Sequence, residues 1–86
     1  MGSSPRPKPK HLGKKLRVIR LDRLGLSQTE MSKALGLKVD YSAVSQFELG
    51  TREPSLLIVL KYARLAGIPM ETLVDDKMKL PALSDF

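Results

Sequence analysis

The segment spanning residues 27 to 50 carries signals for two helices, each too short to be stable on its own. This pair of short helices constrains the fold most. Ser27 and Glu30 have the S-x-x-E spacing of a capping box. Asp40 is a favourable N-cap for a second helix, and Gly36 and Gly50 supply helix ends. Helices of this length are marginal in water on their own. We therefore expect the two to pack against each other and against further helices.

Similar signals elsewhere divide the chain into five helices. Residues 12 to 23 are predicted to form the first, Ser55 to cap a fourth that Gly67 ends, and Pro69 to begin a short fifth that runs through Val74. The predicted fold class is all-α, a five-helix domain over residues 12–76 without strands. Residues 1–11 are predicted to be a flexible basic arm and residues 77–86 a C-terminal tail.

Apolar residues at spacings of three and four predict which helix faces point inward. The predicted core contains Leu12, Leu16, Ile19, Met31, Leu35, Ala43, Val44, Phe47, Leu56, Val59, Leu60, Tyr62, Ala63, Ile68 and Leu73. The Lys and Arg side chains of the first helix are expected to lie outside. Leu57, Ile58 and Leu65 exceed one helical stripe, so they are either additional core beneath the tail or part of a self-association surface.

Length and composition limit the class of protein. The 86 residues, 42% of them hydrophobic, suffice for one small core. Without cysteine the chain forms no disulfide and no thiolate metal site. No apolar run approaches the length of a membrane span, and the N-terminus lacks the hydrophobic segment of a signal peptide. We expect a cytoplasmic protein of a bacterium or phage, associated with the nucleoid.

Positive charge is concentrated at the N-terminal end. Residues 1–25 contain eight Lys or Arg against Asp22 alone, whereas residues 26–86 contain seven against eight Asp or Glu. This asymmetry favours a polyanionic partner. Three prolines alternate with Arg6, Lys8 and Lys10, which predicts an extended arm. The arm is either a minor-groove contact, as in other DNA-binding domains, or a plain disordered leader.

The helix predicted after Asp40 shows Tyr41, Ser42, Ser45 and Gln46 on its outward side. These side chains are neutral and form hydrogen bonds. A short helix that carries such groups, and is held in place by its neighbours, is suited to reading base edges in a DNA major groove.

Four segments occur in a characteristic order. They are LGKKLRVIR at 12–20, GLSQTEMSKALGL at 25–37, SAVSQFELGTREPS at 42–55 and LKYARLAGIPMETLV at 60–74, and the E-x-G-x-R-x-P run at 48–54 is the most specific part. Together they resemble the lambda-repressor-like (Cro/repressor, XRE-type) helix-turn-helix domain of DNA-binding transcriptional regulators. The resemblance implies double-stranded DNA as partner and no cofactor.

The resemblance also implies roles for individual residues. The base-reading positions of this family are occupied here by Tyr41, Ser42 and Gln46, and a glutamine can pair with adenine N6 and N7. The predicted phosphate-binding residues are Gln28, Thr29, Lys38, Ser45, Thr51 and Arg52. For Lys38 and Arg52 the alternative is a solvated side chain without a DNA contact. Asp40, a negative charge near phosphates, is interpreted as a structural cap.

The sequence departs from the family pattern in two places. Residues 21 to 24 are one residue longer than usual, so that the family's arginine partner of Glu48 is Arg20, with Arg17 as the alternative. Residues 37 to 41 exceed the usual tight turn by about two residues. Either this turn bulges toward DNA, or the third helix begins later.

We expect a sequence-specific transcriptional regulator, a repressor that binds a palindromic operator as a homodimer. An enzyme is disfavoured because His11, the single histidine, lies in the arm and the carboxylates are scattered. One alternative is an antitoxin-like adaptor that autoregulates its operon and binds a protein partner through tail residues such as Leu80, Leu83 and Phe86. Another is a protein-interaction or RNA-associated module of the same fold.

Overall fold

The structure is a computed structural model that describes residues 9–36 and 40–80. In these two ranges the chain forms five α-helices and no strand, as the sequence predicts. The helices are α1 (Leu12–Val18), α2 (Gln28–Ala34), α3 (Tyr41–Leu49), α4 (Leu56–Ala66) and α5 (Glu71–Val74). The predictions for Arg6, Lys8, Lys38, Leu83 and Phe86 fall outside the described residues.

A π-helical segment, Ile19–Arg23, continues α1 without a break. The Leu24 N–H donates to the Ile19 carbonyl at 2.9 Å, a separation of five residues along the chain. A π-turn holds one residue more than an α-turn. A segment of this kind has room for the one-residue extension that the sequence predicts here.

The predicted N-caps of the three central helices are confirmed. The Ser27 hydroxyl accepts the Glu30 N–H at 3.0 Å while the Glu30 carboxylate accepts the Ser27 N–H at 2.9 Å, which is the full capping box. The other two caps are one-sided: the Asp40 carboxylate accepts the Ser42 N–H at 3.0 Å at the start of α3, and the Ser55 hydroxyl accepts the Ile58 N–H at 3.3 Å at the start of α4. These local hydrogen bonds fix where α2, α3 and α4 begin, and with them the direction of each helix.

The core forms where α1, α2, α3 and α4 meet, and most of its predicted members are buried. Two assignments in α4 are wrong: Leu56 is 67% exposed, and Leu60 is only half-buried. Leu56 is the first residue after the Ser55 cap, and the inward face of α4 is instead formed by the residues one turn later. Leu57 is also exposed, at 69%, so it adds nothing to the core.

The fifth helix is shorter than predicted. It begins at Glu71 rather than at Pro69. The Pro69 carbonyl accepts the Thr72 N–H at 3.1 Å, a three-residue turn, and the regular helical bonds start only from the Met70 carbonyl. Pro69 and Ile68 therefore form a tight entry turn, with Ile68 partly buried against the core.

The prediction that the cations of the first helix lie outside is wrong for two of them, because Arg20 is buried and so is Lys15. Its ammonium donates to the carbonyls of Thr72 at 2.8 Å, Asp75 at 3.0 Å and Met78 at 2.8 Å. An ammonium has three N–H donors, so all of them are satisfied. This side chain joins α1 to α5 and to the segment after it.

None of the helices in the described ranges combines the length and apolar character that a membrane span requires.

Candidate nucleic-acid interface

Helix α3 is held between α1 and α2, and one side of it remains exposed. Val44 and Phe47 are buried against the neighbouring helices, while Tyr41, Ser42 and Gln46 are exposed. The exposed three lie within about 140° of one another around the helix axis. The structure thus places the three residues predicted to read bases on one continuous surface.

Ser42 and Gln46 differ in the hydrogen bonds that they already make within the protein. The Asp40 carboxylate accepts both the N–H and the hydroxyl of Ser42. The hydrogen bond from the Ser42 hydroxyl is the main reason that the pKa of Asp40 is lowered. The Gln46 carboxamide makes no hydrogen bond among the described residues and keeps all its donors and acceptors for a ligand. Of the two, Gln46 is therefore the side chain with more free hydrogen-bonding groups.

The loop after α3 is anchored to the helix by its backbone. Gly50, with φ of 79°, ends α3 in the left-handed conformation, which costs glycine little. The Gln46 carbonyl then accepts the N–H groups of Thr51 at 3.0 Å and Arg52 at 3.3 Å. The Arg52 guanidinium lies 5.7 Å from the centroid of the Phe47 ring, within cation–π range. These contacts hold Thr51 and Arg52, the two predicted phosphate-binding residues of this loop, next to the exposed side of α3.

A buried ion pair fixes α3 to α1. The Arg20 guanidinium contacts the Glu48 carboxylate through two bonds, Nε to Oε2 at 2.6 Å and Nη2 to Oε1 at 2.9 Å. A third bond from Arg20 reaches the Leu26 carbonyl at 3.0 Å. Arg17, the alternative partner, is exposed. The bond to Glu48 raises the pKa of Arg20.

The same carboxylate orients Gln28 at the start of α2. The Gln28 amide nitrogen lies 3.5 Å from Glu48 Oε1, a long contact. One amide N–H thus points at Glu48, while the second remains for another acceptor. The α2 N-terminus, with its unpaired N–H groups, already favours an anion at this place.

A groove beside Gln28 contains two cations to which the sequence did not assign a DNA contact. Lys14 and Arg17, one helical turn apart on α1, line it together with Gln28, Ser45 and Leu49. Ser45, a predicted phosphate-binding residue, is half-buried here. The signal for Lys14 and Arg17 was their spacing of three residues within the basic first helix. The sequence alone could not distinguish these exposed cations from Lys15, which belongs to the same basic helix and is buried.

Two further residues predicted to contact DNA are also exposed. Thr29 follows Gln28 on the first turn of α2 and is exposed, and its carbonyl accepts the Ser32 hydroxyl at 2.7 Å. Lys10 is exposed just before α1. Both side chains are accessible to a ligand.

Comparison with known proteins identifies the fold. A family model described as "Helix-turn-helix" matches residues 16–73, more than half of the chain. The chain belongs to this helix-turn-helix family. Among solved structures, the P22 c2 repressor in complex with a synthetic operator matches with a TM-score of 0.64 and 25% sequence identity. The match covers 76% of this chain and 94% of that one. No curated protein sequence matches.

The helix-turn-helix assignment confirms the resemblance to lambda-repressor-like domains and the five-helix fold. The chain is a DNA-binding regulator of transcription. Helices α2 and α3 are the helix-turn-helix pair, and α3 is its second, recognition helix. The family match begins at Leu16 and so leaves out the start of α1 and the residues before it.

Proposed function

We propose that this chain is a repressor that binds double-stranded DNA sequence-specifically by placing α3 in the major groove. The observation that supports the proposal is the row of neutral, exposed side chains on α3 between two groups of side chains that can donate hydrogen bonds to phosphates. Gln46 reads a base edge through a bidentate bond worth about 1–3 kcal/mol of discrimination. Tyr41 and Ser42 contact neighbouring bases.

Phosphate contacts on both sides of α3 set its register in the groove. On one side, Gln28 and Thr29 present the α2 N-terminus to the backbone. Ser45 and the cations Lys14 and Arg17 of the adjoining groove extend this side. On the other side, Thr51 and Arg52 hold a second stretch of backbone. Lys38 and the arm residues Arg6, Lys8 and Lys10 remain proposed contacts.

The operator is proposed to be palindromic and occupied by two copies. One recognition helix covers too few base pairs to select a site from a genome. Pairing doubles the readout and places the half-sites about 34–36 Å apart. The exposed Leu56 at the start of α4 and the exposed Val74 of α5 line one groove, and the exposed Leu57 follows Leu56 in sequence. This apolar surface supports a contact between copies.

Selection from a random pool of DNA duplexes tests the proposal. The expected result is enrichment of one inverted-repeat sequence, bound far more tightly than a scrambled duplex at the same salt concentration. Single-stranded RNA of random sequence serves as the competitor that separates an RNA-associated module from a DNA reader. Enrichment of no duplex, with retention of RNA, would contradict the proposal.

A further inference from the structure

Asp40 accepts two hydrogen bonds from Ser42 at the start of α3, and a helix cap needs only one of them. Its carboxylate oxygen Oδ1 accepts the Ser42 N–H at 3.0 Å, which is the capping bond. The same oxygen also accepts the Ser42 hydroxyl. A neutral serine or asparagine caps a helix about as well as an aspartate does. The charge of Asp40 and its second bond therefore exceed what the cap requires.

The ionised carboxylate fixes the direction of the second bond. The hydrogen bond from the Ser42 hydroxyl lowers the pKa of Asp40 below its ordinary value of 3.8, so the group is ionised at neutral pH. An ionised carboxylate accepts hydrogen bonds and has no proton to donate, and a serine hydroxyl carries a single O–H. This O–H is therefore committed to Asp40, and the Ser42 oxygen can only accept a further hydrogen bond.

Ser42 is nevertheless accessible to a ligand. It is exposed and lies on the same side of α3 as Tyr41 and Gln46, the side that the proposed function places in the major groove. Gln46 differs from Ser42, because its side-chain amide makes no hydrogen bond among the described residues and can both donate and accept.

The restriction on Ser42 matters because the bases differ in what they present. In the major groove adenine and cytosine each present an amino group, whereas guanine and thymine present a carbonyl oxygen. An oxygen that can only accept binds the amino group, but it meets the carbonyl oxygen without a proton between them. An unrestrained serine hydroxyl binds either kind of base.

We propose that Asp40 is a positioning residue that makes Ser42 select an amino base, adenine or cytosine, over a keto base, guanine or thymine. By holding the hydroxyl proton, Asp40 turns a side chain that tolerates any base into one that discriminates. Its negative charge lowers the affinity for all DNA, and specificity at one base is gained in exchange. The inference rests on the proposed DNA-binding function and deepens it.

The experiment measures the wild-type protein, Ser42→Ala and Asp40→Gly on every single-base variant of the duplex that the wild-type protein selects. The base beside Ser42 is the one at which S42A loses its preference. There the wild-type protein should favour the amino base over the keto base about three- to tenfold. D40G should reduce this preference to less than about twofold, because the freed hydroxyl can also donate. The affinity of D40G for the amino base should stay equal or rise, since a negative charge is removed.

Two controls separate this role from that of the cap. Glycine retains most of the capping stability, and urea unfolding shows that each variant is folded under the binding conditions. The base preference that Gln46 provides should be the same in D40G as in the wild-type protein. Ser55→Gly weakens the one-sided cap of α4 and should leave every base preference unchanged.

A wild-type preference for guanine or thymine beside Ser42 would overturn the proposal, since the hydroxyl would then be donating to the base. An unchanged preference in D40G would also overturn it, as would base preferences that S42A leaves intact at every position. Loss of preference at all positions in D40G would show that only the cap matters. Failure of the wild-type protein to select any duplex would instead contradict the proposed function itself.

Discussion

At the scale of single residues, the clearest surprise is Gly13, which lies inside a helix. A Cβ at this position would meet the Glu48 carbonyl oxygen at 2.5 Å and the Phe47 carbonyl oxygen at 3.0 Å. Both obstacles are backbone atoms, which cannot rotate away. Glycine here allows α1 to approach the C-terminal end of α3 and so brings Arg20 within reach of Glu48.

Gly13→Ala therefore tests the close approach. By helix propensity alone the substitution would stabilise the protein by about 0.5–1 kcal/mol. We expect it instead to lower the free energy of unfolding by about 1–3 kcal/mol, because overpacking forces the helices apart. Urea denaturation measures the change, with Lys14→Ala as the control that α1 accepts alanine at an exposed neighbour. A more stable G13A protein would contradict the packing.

Three carboxylates at helix N-termini are expected to make the fold sensitive to acid. The pKa of Glu30 is lowered by the Ser27 N–H, that of Asp40 by the Ser42 hydroxyl, and that of Asp76 by the Lys10 N–H. A carboxyl group whose pKa is lower in the folded state stabilises the fold above its unfolded pKa, and this stabilisation is lost as the pH falls through the folded pKa.

The free energy of unfolding should therefore decline as the pH drops below the ordinary values of 4.5 for Glu and 3.8 for Asp. Urea titrations at a series of pH values measure the decline. Glu30→Gln, Asp40→Asn and Asp76→Asn should each flatten the profile, because an amide does not titrate. A profile that all three substitutions leave unchanged would show that these caps do not cause the acid sensitivity.

At the scale of helices, sequence reasoning succeeded where the signals were local. Ser27, Asp40 and Ser55 each bond to an N–H two or three residues away, so neighbouring residues were enough to locate the starts of α2, α3 and α4. Lys15 could not be placed in this way. Its partners are 57 to 63 residues distant in sequence and come within reach only once the whole domain has folded.

The same difference between local and long-range signals applies to the residues of the candidate site. The positions of Tyr41, Ser42 and Gln46 on one surface followed from helical spacing, whereas the pairing of Arg20 with Glu48 was suggested only by resemblance. Leu56 was assigned to the core because it fits an apolar spacing. Spacing alone does not tell which side of α4 faces inward at its first turn.

Lys15→Met tests the link between α1 and α5. Methionine keeps most of the side-chain bulk but removes three charge-assisted hydrogen bonds and leaves three carbonyls without this donor. We expect the free energy of unfolding to fall by about 2–3 kcal/mol. Lys14→Met, the same change at the exposed neighbour, should stay within about 0.5 kcal/mol of wild type. Equal effects of the two substitutions would show that the buried bonds contribute nothing.

At the scale of the whole molecule, the domain presents two separate surfaces, a polar and basic one around α3 and an apolar one at the start of α4. The proposed pairing of two copies uses the second so that both recognition helices of the first can reach one face of the DNA. Because the apolar area is small, we expect weak association in solution that DNA completes.

Leu57→Glu tests the pairing. A charge at this exposed position should weaken binding to a duplex with two half-sites about tenfold or more, because it removes the contact between copies. Affinity for a duplex with one half-site should not change, which provides the internal control. Sedimentation of the wild-type complex should show two copies per duplex at saturation. One copy per duplex on a non-palindromic site would rule out the dimer.

The central claim, that α3 reads bases while its neighbours hold phosphates, is tested most directly by binding profiles of Gln46→Ala and Arg52→Ala. Affinity is measured for every single-base variant of the selected duplex at one salt concentration. Q46A should lose discrimination at one position of each half-site, by about 1–3 kcal/mol, while R52A should weaken all duplexes by about the same factor. A uniform loss for Q46A, with its base preference intact, would contradict the account.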